Sequence, residues 1–201
     1  MAMPAISPAR RYTAAEVLAF PADGNRYEVV HGELLVTPAP RAVHQLVVWE
    51  LSVRIDNYLV ALGRPARAVA GPADITWDEE TTVQPDILVV PECEVTTDWR
   101  SYKTLLLAVE VLSPSSTRGD RVVKRRLYQE QRVGVYWIVD ADKRLVEVWR
   151  PDDEAPEIVT DVLRWQVTPD APVLEIALLE VFGVLPSEPS AGSGQPSADS
   201  R

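Results

Sequence analysis

The chain is short of the residues that most often carry chemistry: it has one cysteine, Cys93, and two histidines, His31 and His44, among 201 residues. A lone cysteine cannot close an internal disulfide, and without a C-x-x-C pair there is no thiolate zinc site and no thiol exchange. Cys93 stands between Glu92 and Glu94, where negative neighbours disfavour a thiolate nucleophile. Two histidines and no H-E-x-x-H exclude a histidine-rich metal centre, and there is no G-x-S-x-G elbow for serine-triad chemistry. Neither G-x-x-x-x-G-K-[ST] nor G-x-G-x-x-G is present, so a glycine-rich phosphate cradle has no candidate. No apolar run approaches the roughly 18 residues of a membrane span, and MAMPAISPARRY lacks the apolar stretch of a signal peptide. A cytoplasmic location is the expectation.

What is present suits one soluble domain. The composition is 46% hydrophobic, 25% charged and 7% aromatic, enough to bury a core and unlike collagen, coiled coil or wholly disordered chains. A single domain is expected over 12–185, between a loose N-terminus, 1–11, and a Pro/Ser/Gly-rich tail, 186–201, that has no large apolar side chain to offset its ordering entropy. The net charge of −10 argues against coating nucleic acid with the whole surface. The charge is unevenly spread, however. Arg118 to Arg132 holds six basic residues against two acidic ones, while Pro151 to Leu185 holds eight acidic residues against Arg164 alone. A local phosphate-facing patch is compatible with that distribution.

Thr13 with Glu16 has capping-box spacing and predicts a short helix over Ala14 to Phe20. Arg26 to Val30 and Glu33 to Val36 read as a hairpin around His31-Gly32. Val43, Val47, Leu51, Ile55 and Leu59 repeat at helical spacing and stop at Gly63, with Pro65 beyond. Ala66 to Trp77, Thr81 to Val90 and Leu105 to Leu112 read as strands, the last two nearly continuous in apolar residues, as strands covered on both faces are. A basic helix follows over Thr117 to Arg132, then strand Val135 to Asp140 and its hairpin partner Leu145 to Trp149. The order predicts an α/β fold with a mixed central sheet flanked by helices.

Two acids interrupt the apolar strands, Asp86 and Glu110. Carboxylates in such runs cost several kcal/mol in desolvation unless a cation or strong donors compensate. Either one alone could end its strand at the solvent edge or pair with an arginine. As a pair 24 residues apart and followed by a basic helix, they offer hard oxygen donors suited to Mg²⁺ or Mn²⁺.

Pro85-Asp86 followed by Glu110-Val111-Leu112-Ser113-Pro114-Ser115 resembles the PD-(D/E)XK nuclease superfamily, and within it the Uma-type restriction endonuclease family. The likeness extends to Tyr27-Glu28-Val29-Val30-His31-Gly32-Glu33-Leu34, Val43-His44-Gln45, Lys124-Arg125-Arg126-Leu127-Tyr128 and Val135-Tyr136-Trp137-Ile138-Val139-Asp140. It spans roughly Tyr12 to Phe182. The resemblance implies a restriction-endonuclease-like core and a Mg²⁺- or Mn²⁺-dependent endonuclease hydrolysing DNA phosphodiester bonds. Asp86, Glu110 and the Val111 carbonyl would hold the metal, and Lys124 would complete the catalytic set. Arg118, Arg121 and Arg125 would contact DNA phosphates. The alternative is a catalytically inactive nuclease-fold protein that binds DNA or a partner. DNA is the implied partner, with no membrane and a possible homodimer.

The chain departs from the superfamily pattern where a lysine should stand two residues after the glutamate. That position is Leu112, which can neither orient water nor stabilise charge. In the branch this chain resembles, the lysine comes from the following helix, where Lys124 matches, although Arg121 or Arg125 could equally turn inward. Glu33 would be an auxiliary ligand. His44 would orient or relay a proton, with a helix-start histidine bonded to backbone as the equal alternative. Most of the six tryptophans read as core or hairpin packing rather than base-stacking platforms.

Overall fold

A computed structural model describes residues 10–113 and 116–183. The loose N-terminus falls partly outside these residues and the tail wholly so. Within the described part of that terminus, Arg10 pairs with Glu16, and Arg11 pairs with Glu80.

Helix α1 (Ala14–Leu18) starts at a complete capping box: Thr13 Oγ1 accepts the Glu16 N–H at 3.2 Å, and the Glu16 carboxylate accepts the Thr13 N–H at 2.8 Å. Strands β1 (Arg26–Val30) and β2 (Glu33–Thr37) form the expected hairpin. Its turn residues, His31 (φ 48°) and Gly32 (φ 79°), both take left-handed backbone, as a two-residue primed turn requires. Helix α2 (Ala42–Ala61) buries His44, Val47, Val48, Leu51, Ile55 and Leu59 along one stripe.

The next two predicted strands are each broken. Ala66 to Trp77 becomes β3 (Ala66–Ala70) and β4 (Ile75–Asp78), and Thr81 to Val90 becomes β5 (Thr81–Val83) and β6 (Ile87–Pro91). Pro72 and Pro85 stand in the two gaps, where the missing N–H ends a ladder. The gaps touch: a Cβ on Gly71 would lie 2.6 Å from the Pro85 carbonyl oxygen, so only glycine fits there. Each gap carries the chain from one sheet to the other. Strand β7 (Leu107–Val111) follows, then a π-helical segment (Gly119–Lys124) running into α3 (Arg125–Glu130), in place of the single predicted helix. The chain continues through β8 (Tyr136–Asp140), β9 (Leu145–Trp149), β10 (Glu157–Val159), β11 (Val162–Trp165), β12 (Leu174–Ala177) and α4 (Leu178–Gly183).

The central six-stranded sheet is mixed, in the order β10-β9-β8-β7-β6-β3, with β7 and β8 parallel and the other neighbours antiparallel. A four-stranded antiparallel sheet has the order β2-β1-β5-β4, and β11 pairs with β12. Alternation along the central strands splits the interior into two cores. Val89, Val109, Val111, Trp137 and Val139 face α2, roofed by Leu163, Trp165, Val181 and Phe182 from the acidic C-terminal third. Leu88, Val90, Ala108, Tyr136 and Ile138 face Val30, Ile75 and Val83 of the smaller sheet and Leu127 and Tyr128 of α3. A third cluster packs α1 on Val29. Among the described residues, no helix is long and apolar enough to cross a membrane.

Candidate active site

Glu110 shares its strand face with Ala108 and Leu112, so it points into the second core, where it is 1% exposed. Lys124 meets it there. The ammonium stands 2.9 Å from Glu110 Oε1, 2.8 Å from Glu28 Oε2 and 3.4 Å from Asp120 Oδ1, and Lys124 is 3% exposed. Tyr128, one turn further along, donates its hydroxyl to Glu110 Oε1 at 3.2 Å. Asp120, Lys124 and Tyr128 follow at intervals of four along one helical face. Leu112, which stands where the superfamily lysine would be, packs against the second core instead.

Asp86 lies just before β6, in the crossover between the sheets. Its Oδ2 accepts the Val111 N–H at 2.8 Å and lies 3.0 Å from His44 Nε2, which carries the proton in a bond to a carboxylate. Its Oδ1 accepts from Arg26 Nη1 at 2.9 Å, and the same nitrogen reaches the Gln84 carbonyl at 3.0 Å. Asp86, Glu110 and Val111 share the wall of one cavity of about 20 Å³ with Arg26, His44, Thr37, Pro38, Pro40, Ser113 and Ser116. That is room for about one water-sized occupant. A second cavity of about 260 Å³ lies between β2 and the π-helical segment, bordered by Glu28, Glu33, Arg118, Asp120 and Lys124.

Four carboxylates, of Glu28, Asp86, Glu110 and Asp120, face two permanent cations, Arg26 and Lys124. Burial pushes the Asp86 carboxyl up, but the His44 hydrogen bond, the charges of Arg26 and His44 and the Val111 N–H outweigh it and hold it at about 2. Glu110 goes the other way: burial raises it well above the carboxylate range, Lys124 opposes, and Asp120, Asp86 and Glu28 add to the rise. Burial likewise raises Asp120 against the opposition of Lys124. For Lys124 burial works against the charge, yet Glu110, Glu28 and Asp120 prevail and raise it well above the lysine range. Asp86 is therefore held as an anion, whereas burial raises the proton affinity of Glu110 and Asp120 beside the Lys124 ammonium.

The expected residues fare differently. Asp86, Glu110 and Val111 border one cavity and Lys124 binds Glu110, while His44 bonds Asp86 rather than backbone. Glu33 is exposed on the wall of the larger cavity, apart from the cavity that Asp86 and Glu110 border. Of the three arginines expected on phosphate, Arg118 alone is exposed. Arg121 bonds Glu147 Oε1 through Nε at 2.7 Å and Asp140 Oδ2 through Nη2 at 2.9 Å, so the Nε–Nη2 edge of its guanidinium is taken by two carboxylates. Arg125 lies over the Trp149 ring, 4.8 Å from its centroid, and donates to Gln129 at 2.6 Å. Glu28, Arg26 and Asp120 had no assigned role. Alternation along β1 puts Arg26 and Glu28 on the face of Val30, which was a usable signal. It was not decisive, because Tyr27 and Val29 on the other face are covered too.

The family model Uma2, described as “Putative restriction endonuclease”, matches residues 14–179. Among solved structures the chain is similar to “a putative nuclease belonging to DUF820 from Anabaena variabilis ATCC 29413”, with a TM-score of 0.69 and 21% identity over 85% of this chain and 97% of that one. At that identity the likeness shows the fold. No curated protein matches.

Proposed function

The chain belongs to the Uma2 restriction endonuclease family, and from that premise we propose that it is a metal-dependent endonuclease hydrolysing DNA phosphodiester bonds at Asp86, Glu110 and Lys124. One observation carries the reading: two buried carboxylates, one in the crossover before β6 and one on β7, border a water-sized cavity, with a buried lysine bonded to the second. Such a cluster is costly to bury and has no evident structural benefit over apolar packing.

The donor set fits a small hard cation. Asp86, Glu110 and the Val111 carbonyl are oxygen ligands of the kind Mg²⁺ and Mn²⁺ take, and the surplus of carboxylates over cations favours added positive charge. Bound there, the ion would lower the pKa of a water and neutralise charge on the phosphoryl group. The protein's own part is positional. His44 and Arg26 keep Asp86 ionised and fix both of its oxygens. Tyr128 fixes Glu110 Oε1. Lys124 moves from Glu110 to a non-bridging phosphate oxygen as negative charge develops, a charge-assisted contact made in the transition state. Arg118, on the wall of the larger cavity, meets the flanking strand through phosphate.

The test is plasmid cleavage in Mg²⁺ or Mn²⁺ beside an Asp86→Ala control. Cutting by the wild type alone supports the reading. Equal cutting by both means contamination, and no cutting over a broad range of conditions favours an inactive nuclease fold that binds DNA or a partner.

A further inference from the structure

Arg121 stands three residues before Lys124 on the π-helical segment, and its surroundings differ from those of a DNA-binding side chain. Nε lies 2.7 Å from Glu147 Oε1 and Nη2 lies 2.9 Å from Asp140 Oδ2. The three side chains are 25%, 12% and 9% exposed, so these pairs are screened less than surface ones. Asp140 ends β8 and Glu147 lies in β9. In the β8–β9 register Ile138 faces Glu147, which puts Asp140 diagonally beside Glu147 on the same face of the sheet. One planar guanidinium thus bridges two neighbouring strands of the central sheet.

The segment needs such an anchor. The Arg125 N–H bonds the Asp120 carbonyl five residues back, a wide turn with poorer intrinsic stability than an α-helical one. In an ordinary helix, residues three apart share a face. The wider turn spreads them, so Arg121 can grip β8 and β9 while Lys124 points at Glu110 and Glu28. Lysine has a flexible four-carbon stem, whereas the arginine fork is rigid and matched to carboxylate geometry. The flexible group is the one proposed to act on phosphate, and the rigid group fixes the backbone from which it projects.

We propose that Arg121, clamped between Asp140 and Glu147, is a positioning residue: it sets the π-helical segment so that the Lys124 ammonium meets Glu110, and it does not dock DNA. The claim about turnover rests on the nuclease reading, and the claim about where Lys124 sits does not.

Two readouts keep these apart, both on the full chain. The first is acetylation of lysines followed by peptide mass spectrometry. The chain has three lysines, Lys103, Lys124 and Lys143; Lys143 pairs with Asp140, and the exposed Lys103 serves as the internal standard. In the wild type Lys124 should resist modification. Arg121→Ala should label it several-fold faster at an unchanged Lys103 rate, and Arg121→Lys should restore part of the protection. Leu163→Ala, a cavity variant in the other core that also lowers the melting temperature, should leave Lys124 protected. The second readout is cleavage kinetics. Arg121→Ala should lower kcat by roughly tenfold or more, the scale at which a misplaced catalytic group slows turnover, with KM and the salt slope unchanged. Wild-type protection of Lys124 in Arg121→Ala overturns the proposal. So does equal exposure of Lys124 in Leu163→Ala, or an Arg121→Ala enzyme with normal kcat, raised KM and a shallower salt slope. If the wild type cuts no DNA, the nuclease reading falls while the labelling result alone decides the clamp.

Discussion

Replacing Lys124 with methionine keeps most of the side-chain volume and removes only the charge, leaving Glu28, Glu110 and Asp120 facing one another without their cation. Removing one partner of a buried ion pair costs about 3–5 kcal/mol, because the remaining charge stays desolvated. In a domain of this size that is a fall of about 6–20 °C in melting temperature. The loss should depend on pH in a definite direction. Burial and mutual repulsion already raise Glu110 and Asp120 in the native state, and losing the ammonium raises them further. An acid raised on folding binds more protons native than unfolded, so stability falls as pH rises above its unfolded pKa and is recovered on acidification. Urea unfolding of Lys124→Met and wild type at pH 8 and pH 5 measures this, with the larger deficit expected at pH 8. The complementary variant, Glu110→Gln, removes one of the surplus anions while keeping an acceptor for Lys124 and Tyr128, and should stay within about 1 kcal/mol of wild type. A Lys124→Met deficit under about 1 kcal/mol, or one equal at both pH values, would refute the description of the ammonium as the neutralising centre of a buried acid cluster.

Divalent metal should stabilise the fold by mass action, by about 2.7 kcal/mol at a hundred times Kd, and a thermal scan in Mn²⁺ should show a smaller rise for Glu110→Gln than for wild type. An identical rise in both would put the ion elsewhere. The Asp86 carboxyl, held at about 2, contributes stability above its unfolded pKa that disappears as pH falls from about 4 to 2. Urea midpoints of Asp86→Asn should therefore be flatter than wild type across that window, and parallel curves would contradict the His44 and Arg26 contacts. Arg118→Ala should weaken DNA binding and reduce the salt slope by about one unit, read by fluorescence anisotropy at several salt concentrations.

Local signals located much of this structure. The capping box, the His31-Gly32 turn and the α2 stripe each rest on residues a few positions apart, and each formed as expected. The mixed sheet follows from the order of strands and helices, whereas a nearly continuous apolar run does not say which face Glu110 takes. The strand breaks at Pro72 and Pro85 did not emerge, because a long apolar run reads the same whether it serves one sheet or changes sheets midway. Both breaks are visible only once Gly71 is seen against the Pro85 carbonyl. Lys124 was expected through family likeness, and its competitors Arg121 and Arg125 could not be separated from it along one basic helix. What separates them is tertiary: carboxylates on β8 and β9 for Arg121, Trp149 for Arg125, and Glu110 with Glu28 for Lys124. The acidic C-terminal third offered only its charge, although Leu163, Trp165 and Phe182 roof the core over α2.

Among the described residues no ladder joins the four-stranded and six-stranded sheets, and the chain crosses between them through α2, at Gly71 and again at Gln84 to Asp86. Glu28 belongs to one sheet and Glu110 to the other, so the Lys124 ammonium acts as a rivet through two plates. A slight rotation of either plate changes the gap between those carboxylates and is felt at Lys124 before it is felt at the surface. Registry of the plates and occupancy of the centre are then a single mechanical variable. If the centre binds a ligand as proposed, a substitution deep in the plate interface, such as Val30→Ala or Ile75→Ala, should alter that affinity without touching the ligand, and a ligand that draws Lys124 off one acid should soften the whole interface.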